Sequence, residues 1–184
     1  MQKSRRYLSL RLAAVILAVL TGTAVANHQE TTVVLVNLTD SDLRLKNKET
    51  DGKWDEQPLD LMTNGATMSC KAHSDKLFEG HYVSLAYTST RGGSVWFKLD
   101  NTWGSGNHAY QENRGVPNLK DAESGEETPL YLNRYGPAAH GDMVVVTWIL
   151  AWQDLKASGQ APADQINSNL EKSMDALNRS DIGK

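Results

Sequence analysis

The chain of 184 residues is short of several things. It holds one cysteine, Cys70, which excludes an internal disulfide and a multi-cysteine zinc site. It has no basic excess: 19 Lys and Arg stand against 22 Asp and Glu, for a net charge of -3. Nucleic-acid binders show the opposite balance, so no nucleic acid is expected as a partner. No apolar run reaches the ~20 residues that a membrane-spanning helix needs. The five histidines, His28, His73, His81, His108 and His140, form neither H-x-H nor H-x-x-x-H, so no metal is expected. Gly104-Ser105-Gly106 lacks the strand-to-helix setting of a nucleophile elbow. Gly92-Gly93 opens no helix and is no phosphate loop. Acidic residues such as Asp121, Glu123, Glu126 and Glu127 read as a solvated loop without EF-hand spacing. The expectation is a protein without an enzymatic site, a metal or a cofactor.

What is present begins at the N-terminus. Lys3, Arg5, Arg6 and Arg11 precede the apolar run Leu12 to Leu20, and Ala24-Val25-Ala26 follows. A basic start, a short apolar stretch and an A-x-A ending predict a secretory signal peptide over residues 1–26, cleaved after Ala26. The competing reading is an uncleaved anchor or a buried helix. Cleavage would deliver the chain to the periplasm or outside the cell. It would also take four of the 19 basic residues, leaving 15 against 22 acidic ones, a net charge of -7. Such a domain has no general attraction to anionic lipid. Membrane contact would have to come from aromatic and hydrogen-bonding groups. Cys70 would be the lone thiol in an oxidising compartment. It reads as a buried small hydrophobe, with pairing to another chain as the alternative.

Residues 27–152 read as an all-β sandwich. Thr31 to Leu38 is β-branched and ends at the turn-formers Thr39 to Asp42. Leu43 to Lys46 alternates apolar and charged side chains. Asp51-Gly52 marks a turn, and Asn64-Gly65 is the strongest hairpin-type dipeptide. Ala66 to Ala72 is a third strand. His81 to Thr88 puts Tyr82, Ser84, Ala86 and Thr88 on one face and Val83, Leu85 and Tyr87 on the inner one. Arg91-Gly92-Gly93 then turns into Ser94 to Asp100. Residues 104–125 read as a long loop, a type that is usually functional or mobile. Pro129 to Arg134 is a short strand. Met143 to Trp152 is the most apolar stretch and reads as a central strand buried on both faces.

Residues 153–161 are small and polar, a linker. In residues 162–184, Ile166, Leu170, Met174 and Leu177 recur at helical spacing. Pro162 and Asp164 suit the start of a helix and Arg179 its end. The tail is expected to be an amphipathic helix. It would dock on the domain's own surface, or bind a protein partner or another copy.

Aromatic placement is the main functional signal. Trp148 and Trp152 fall in the apolar strand and read as core. Trp54 lies beside polar turn residues, and Trp103, Tyr110, Tyr131 and Tyr135 lie in or next to loops. Amphipathic rings in loops suit a membrane interface or a ligand rim, or else cap the core edge.

The order of these features resembles the aegerolysin family and its bacterial insecticidal-crystal-protein relatives. The resemblance rests on Val33-Val34-Leu35-Val36-Asn37, on Asp42-Leu43-Arg44-Leu45 with Gly52-Lys53-Trp54, and on Pro58 with Asn64-Gly65. It continues through Glu79 to Tyr87, Val95 to Asn101, and Gly104 to Tyr110. It spans about Thr31 to Leu150. The chain departs from the fungal members in its leader and its C-terminal tail, and it has Asn101-Thr102 where bacterial relatives often have Asn-Pro. The resemblance implies a non-enzymatic, toxin-like or hemolysin-like β-sandwich that binds membrane lipid, often sphingolipid, and works with a pore-forming partner. Trp54, Trp96, Trp103, Tyr110 and Asn107 are the candidate lipid-binding residues. Two other readings stand beside it: a protein-interaction module using the C-terminal helix, and a lectin-like carbohydrate binder.

Overall fold

Alternating apolar and polar residues bounded by turn-formers give strands with one buried face. The computed structural model describes residues 29–74, 76, 79–120, 124–137 and 141–155. The segments read as signal peptide and C-terminal helix lie outside the described residues.

Twelve strands follow in order. They are β1 (Gln29–Asn37), β2 (Leu43–Thr50), β3 (Lys53–Glu56), β4 (Leu61–Met62), β5 (Thr67–Ser74), β6 (His81–Ser89), β7 (Ser94–Asn101), β8 (His108–Arg114), β9 (Leu119–Lys120), β10 (Glu127–Thr128), β11 (Tyr131–Tyr135) and β12 (Met143–Ala151). One five-stranded sheet has the order β11-β12-β1-β5-β3, the other β4-β2-β6-β7-β8, and β9 and β10 form a small ribbon. β1 and β12 run parallel, with Val33 opposite Val146. The other pairings are antiparallel.

The core lies between the two five-stranded sheets. Val33, Leu35, Met68, Cys70, Val144, Val146, Trp148 and Leu150 come from one side, and Leu43, Val83, Leu85, Tyr87, Val95, Phe97 and Leu99 from the other. Phe97 and Trp148 meet across it, ring centroids 5.1 Å apart. Cys70 is buried as expected. Burial, reinforced by Glu56, pushes its thiol up to about 12, which keeps it an unreactive thiol.

Several expectations change. The centre of the first sheet is β1, whose Val33 and Leu35 face the main core while Val34 and Val36 join a second cluster with Tyr135, Ile149 and Leu155. β12 lies beside it, and its outward Met143, Val145 and Thr147 are only half-buried. Trp152 packs against the core but is only half-buried, stacked under the Arg91 guanidinium at 5.0 Å. Asn64-Gly65 does turn the chain, with Gly65 at φ 74°. It closes no hairpin, because β4 pairs with β2 and not with β5. The stretch 104–125 contains β8 and β9, since alternation in His108 to Arg114 is hidden by its polar residues. Packed structure also continues to Leu155, whose N–H donates to Asn133 Oδ1 at 3.2 Å.

The Arg91-Gly92-Gly93 hairpin forms as read. Gly93 has φ 72°, and a methyl group there would collide with the Gly115 backbone. Only glycine satisfies both conditions.

Candidate ligand-binding face

The strand register assembles an outward face on β2, β6, β7 and β8. One row across it reads Glu49, Ser84, Lys98, Tyr110, and the next reads Asn47, Ala86, Trp96, Glu112. A third holds Tyr82, Asp100 and His108. Small side chains at Ser84, Ala86 and Ser94 leave space between the larger ones. The result is an open groove of about 550 Å³ lined by Lys46, Glu49, Tyr82, Trp96, Lys98 and Arg114 among others.

Its rings are held in place. Trp96 Nε1 donates to Ser84 Oγ at 3.0 Å, and Arg114 lies over the indole at 5.1 Å. Lys98 lies over the Tyr82 ring at 5.2 Å. Lys98 also pairs with Asp100 at 2.7 Å, and Arg114 with Glu112 at 2.7 Å. A fourth row, Arg44, Thr88, Ser94 and Arg114, adds Arg44 to the cations Lys46, Lys98 and Arg114, which stand beside the carboxylates Glu49, Asp100 and Glu112. The face is polar and aromatic and carries charge of both signs.

The β7–β8 hairpin extends this face outward. Tyr110 stands directly opposite Lys98 and is 47% exposed, and Trp103, in the connecting turn, is 53% exposed. Asn107 is buried: its Oδ1 accepts from the Thr102 N–H at 3.2 Å and its Nδ2 donates to the Gly141 carbonyl at 3.4 Å. Thr102 Oγ1 donates to the Gly106 carbonyl at 2.6 Å. These bonds fix the turn that presents Trp103. Trp54 lies elsewhere. It sits on β3 at the edge of the other sheet, opposite Ala72, half-buried against the core. Of the five candidate residues, therefore, Trp96, Trp103, Tyr110 and Asn107 share one hairpin and Trp54 does not.

Tyr82, Lys98, Arg114 and Glu49 were not among the candidates. Tyr82 and Lys98 were within reach of the sequence. The Arg91-Gly92-Gly93 hairpin fixes the β6–β7 register and brings the two alternating outward faces together. Glu49 and Arg114 depend on strands that polar composition conceals.

Below the same end of the sheet, His81 is enclosed, its Nδ1 2.8 Å from Asp51 Oδ1. Asp51 also accepts from the Tyr82 N–H at 2.9 Å. A methyl group at Gly52 would strike the His73 carbonyl oxygen and the His81 ring, so the Asp51-Gly52 crossing needs glycine for closeness. Burial holds the His81 pKa below its ordinary 6.5, against the pull of Asp51 and with a small contribution from His73. The unfolded chain therefore binds the proton more readily than the folded one. Stability is full above pH 6.5 and falls as pH drops from there toward the lowered folded value. Thermal melts from pH 7.5 to 5 should show this loss, and His81→Gln should flatten it. An unchanged slope in that variant would assign the acid sensitivity elsewhere.

Among the described residues, no group of three or more His, Cys, Asp or Glu side chains is placed to hold a metal ion. No family model matches the chain, and no curated protein matches its sequence. Solved structures do share the fold. The lipid binding protein Nakanori superposes with a TM-score of 0.52 at 15% identity, over 80% of each chain. The RahU protein, solved in complex with a TRIS molecule, gives 0.52 at 13% identity over 68% of this chain and 96% of its own. The chain has the β-sandwich fold of these proteins.

Proposed function

We propose that this chain is an exported, non-enzymatic β-sandwich of aegerolysin type that binds a membrane lipid surface through the β7–β8 hairpin. The observation that carries the reading is the placement of Trp103 and Tyr110. Both are half-exposed large rings, both belong to one hairpin, and Tyr110 stands opposite Lys98 of the Tyr82–Trp96 groove. Such rings favour the boundary between water and lipid. The groove would receive a head group. Its charges of both signs suit a zwitterionic one, and we take a sphingolipid as the candidate; the lipid-binding description of Nakanori supports a lipid ligand.

Binding to sphingomyelin-containing vesicles, read by sedimentation, should lose roughly 2 kcal/mol, about 30-fold, in Trp103→Ala, from the ring area it removes from water. Tyr110→Ala should weaken binding comparably, and Trp54→Phe should leave it intact. Salt between 50 and 500 mM should shift affinity by no more than a few fold, because carboxylates stand beside the cations of the face and the hairpin rings carry the contact. Failure to bind any vesicle, or full binding by Trp103→Ala and Tyr110→Ala, would sink the reading. Trp96 and Tyr82 beside Glu49 and Asn47 also suit stacking and hydrogen bonding to a sugar ring. Binding to soluble glycans that is lost in Trp96→Ala while vesicles are ignored would favour a lectin instead. A pore-forming protein partner belongs to the same proposal and would be met at the membrane.

A further inference from the structure

The sheet β11-β12-β1-β5-β3 has a second, outward face, and its middle is aliphatic. Val34 and Val36 of β1 and Ile149 of β12 point outward, with Thr147 opposite Val34 and Met143 and Val145 farther along the same side of β12. The described residues that cap this face, Leu38, Tyr135 and Leu155, gather with Val34, Val36 and Ile149. Toward Val145 and Met143 the face becomes half-buried. Val34, Val36 and Ile149 are already buried in that cluster, and the half-buried Thr147, Val145 and Met143 continue the stripe beyond it and are what a further element would cover.

We infer that residues 162–184 of the same chain cover this face as an amphipathic helix, with Ile166, Leu170, Met174 and Leu177 turned onto Thr147, Val145 and Met143, beside the Val34 cluster. Three observations select this occupant. The first is where the chain is at Leu155: it is seated in the outward cluster, tied by its N–H to Asn133 Oδ1 on the neighbouring strand. The tail starts on this face, so its encounter with it is intramolecular and favoured by effective concentration over any second molecule. The second is length. A helical stripe from Ile166 to Leu177 is about 16 Å long, matching the ~13 Å of β1 from Thr32 to Val36 plus side-chain overhang. Residues 156–165 can reach about 33 Å, ample to bring it over β12 and β1. The third is chemistry: four aliphatic side chains at helical spacing meet a strip of Val, Ile, Met and Thr, while Glu30 of β1, paired with Lys71 opposite Met143, ends the strip and the ion pair His73–Asp55 bounds it on the β5 and β3 side. The two outer faces of the sandwich then divide the work, one for ligand and one for the chain's own tail.

Paramagnetic relaxation on the full chain tests this. A nitroxide is attached at Ser168→Cys, on the side of the helix away from its apolar stripe, and Cys70 is buried and does not compete for the label. Methyl signals of Val34, Val145 and Ile149 should lose most of their intensity, while those of Ala86 and Thr88 on the other sheet should keep theirs. A mixture of labelled chain and unlabelled, isotope-enriched chain should show no such loss. Attenuation in that mixture would assign the face to a second copy and overturn the inference. Uniform attenuation, or attenuation centred on Ala86 and Thr88, would overturn it as well.

Discussion

Trp148→Ala should cost about 3–5 kcal/mol of folding stability, the range for truncating a buried large aromatic. Trp148 is fully buried at the centre of the sandwich, where it contacts Phe97 across the sheets. Its Nε1 also donates to Gln111 Oε1 at 2.7 Å. Gln111 Nε2 in turn donates to the Leu132 carbonyl at 2.7 Å. Truncation therefore opens a cavity between two sheets that cannot close without moving strands, and it leaves an amide oxygen of β8 without its donor. Against the 5–15 kcal/mol typical of a domain, this is a large share. Urea unfolding should show a lower midpoint with little change in slope. Trp148→Phe should recover most of the packing but not the hydrogen bond. A loss below about 1 kcal/mol in Trp148→Ala would mean that the core is not organised around this ring.

Asn37→Ala should cost about 3 kcal/mol for a different reason. Asn37 ends β1, where the chain turns toward β2, and its side chain is buried. Its Nδ2 donates to the carbonyls of Ser41 at 2.7 Å, Met62 at 3.1 Å and Thr63 at 3.2 Å. Its Oδ1 accepts from the Thr39 N–H at 3.1 Å and the Thr39 hydroxyl at 2.6 Å. One amide thus ties the loop after β1 to the loop after β4. Alanine would strand at least two of these groups, at ~1–3 kcal/mol each. Asn37→Asp should be nearly as harmful, since a carboxylate has no N–H to share among these carbonyls. Hydrogen exchange would check the location: protection at Thr39 and Gly65 should fall before that of β6 and β7. Equal stability in Asn37→Ala would mean that water replaces the side chain at no cost.

Much of the sandwich could be read from alternation. The inner face of β6, carried by Val83, Leu85 and Tyr87, and the Gly92-Gly93 hairpin both follow from local pattern. So does the burial of Cys70. What could not be read depends on contacts distant in sequence. β8 is hidden because Tyr110, Glu112 and Arg114 face water while its inward Gln111 is polar, answering Trp148 rather than an aliphatic wall. Asn64-Gly65 has hairpin chemistry, but Asn37 and the pairing of Met62 with Leu43 take the chain between sheets. β12 has the more apolar sequence, yet β1 takes the middle of the sheet. The parallel partner of β1 is more than a hundred residues away, and no local signal announces that pairing. For the site, the sequence pointed to rings; it took the register to show that Trp96, Trp103 and Tyr110 lie together and that Trp54 belongs to the opposite sheet.

The central claim is that the β7–β8 hairpin meets lipid. Tryptophan fluorescence on vesicles of sphingomyelin and brominated phosphatidylcholine tests it directly, since bromine quenches only rings that approach the acyl chains. The account predicts quenching on binding that persists in Trp54→Phe and is largely abolished in Trp103→Phe. Undiminished quenching in Trp103→Phe, with loss in Trp54→Phe, would place the membrane on the other sheet and contradict the account.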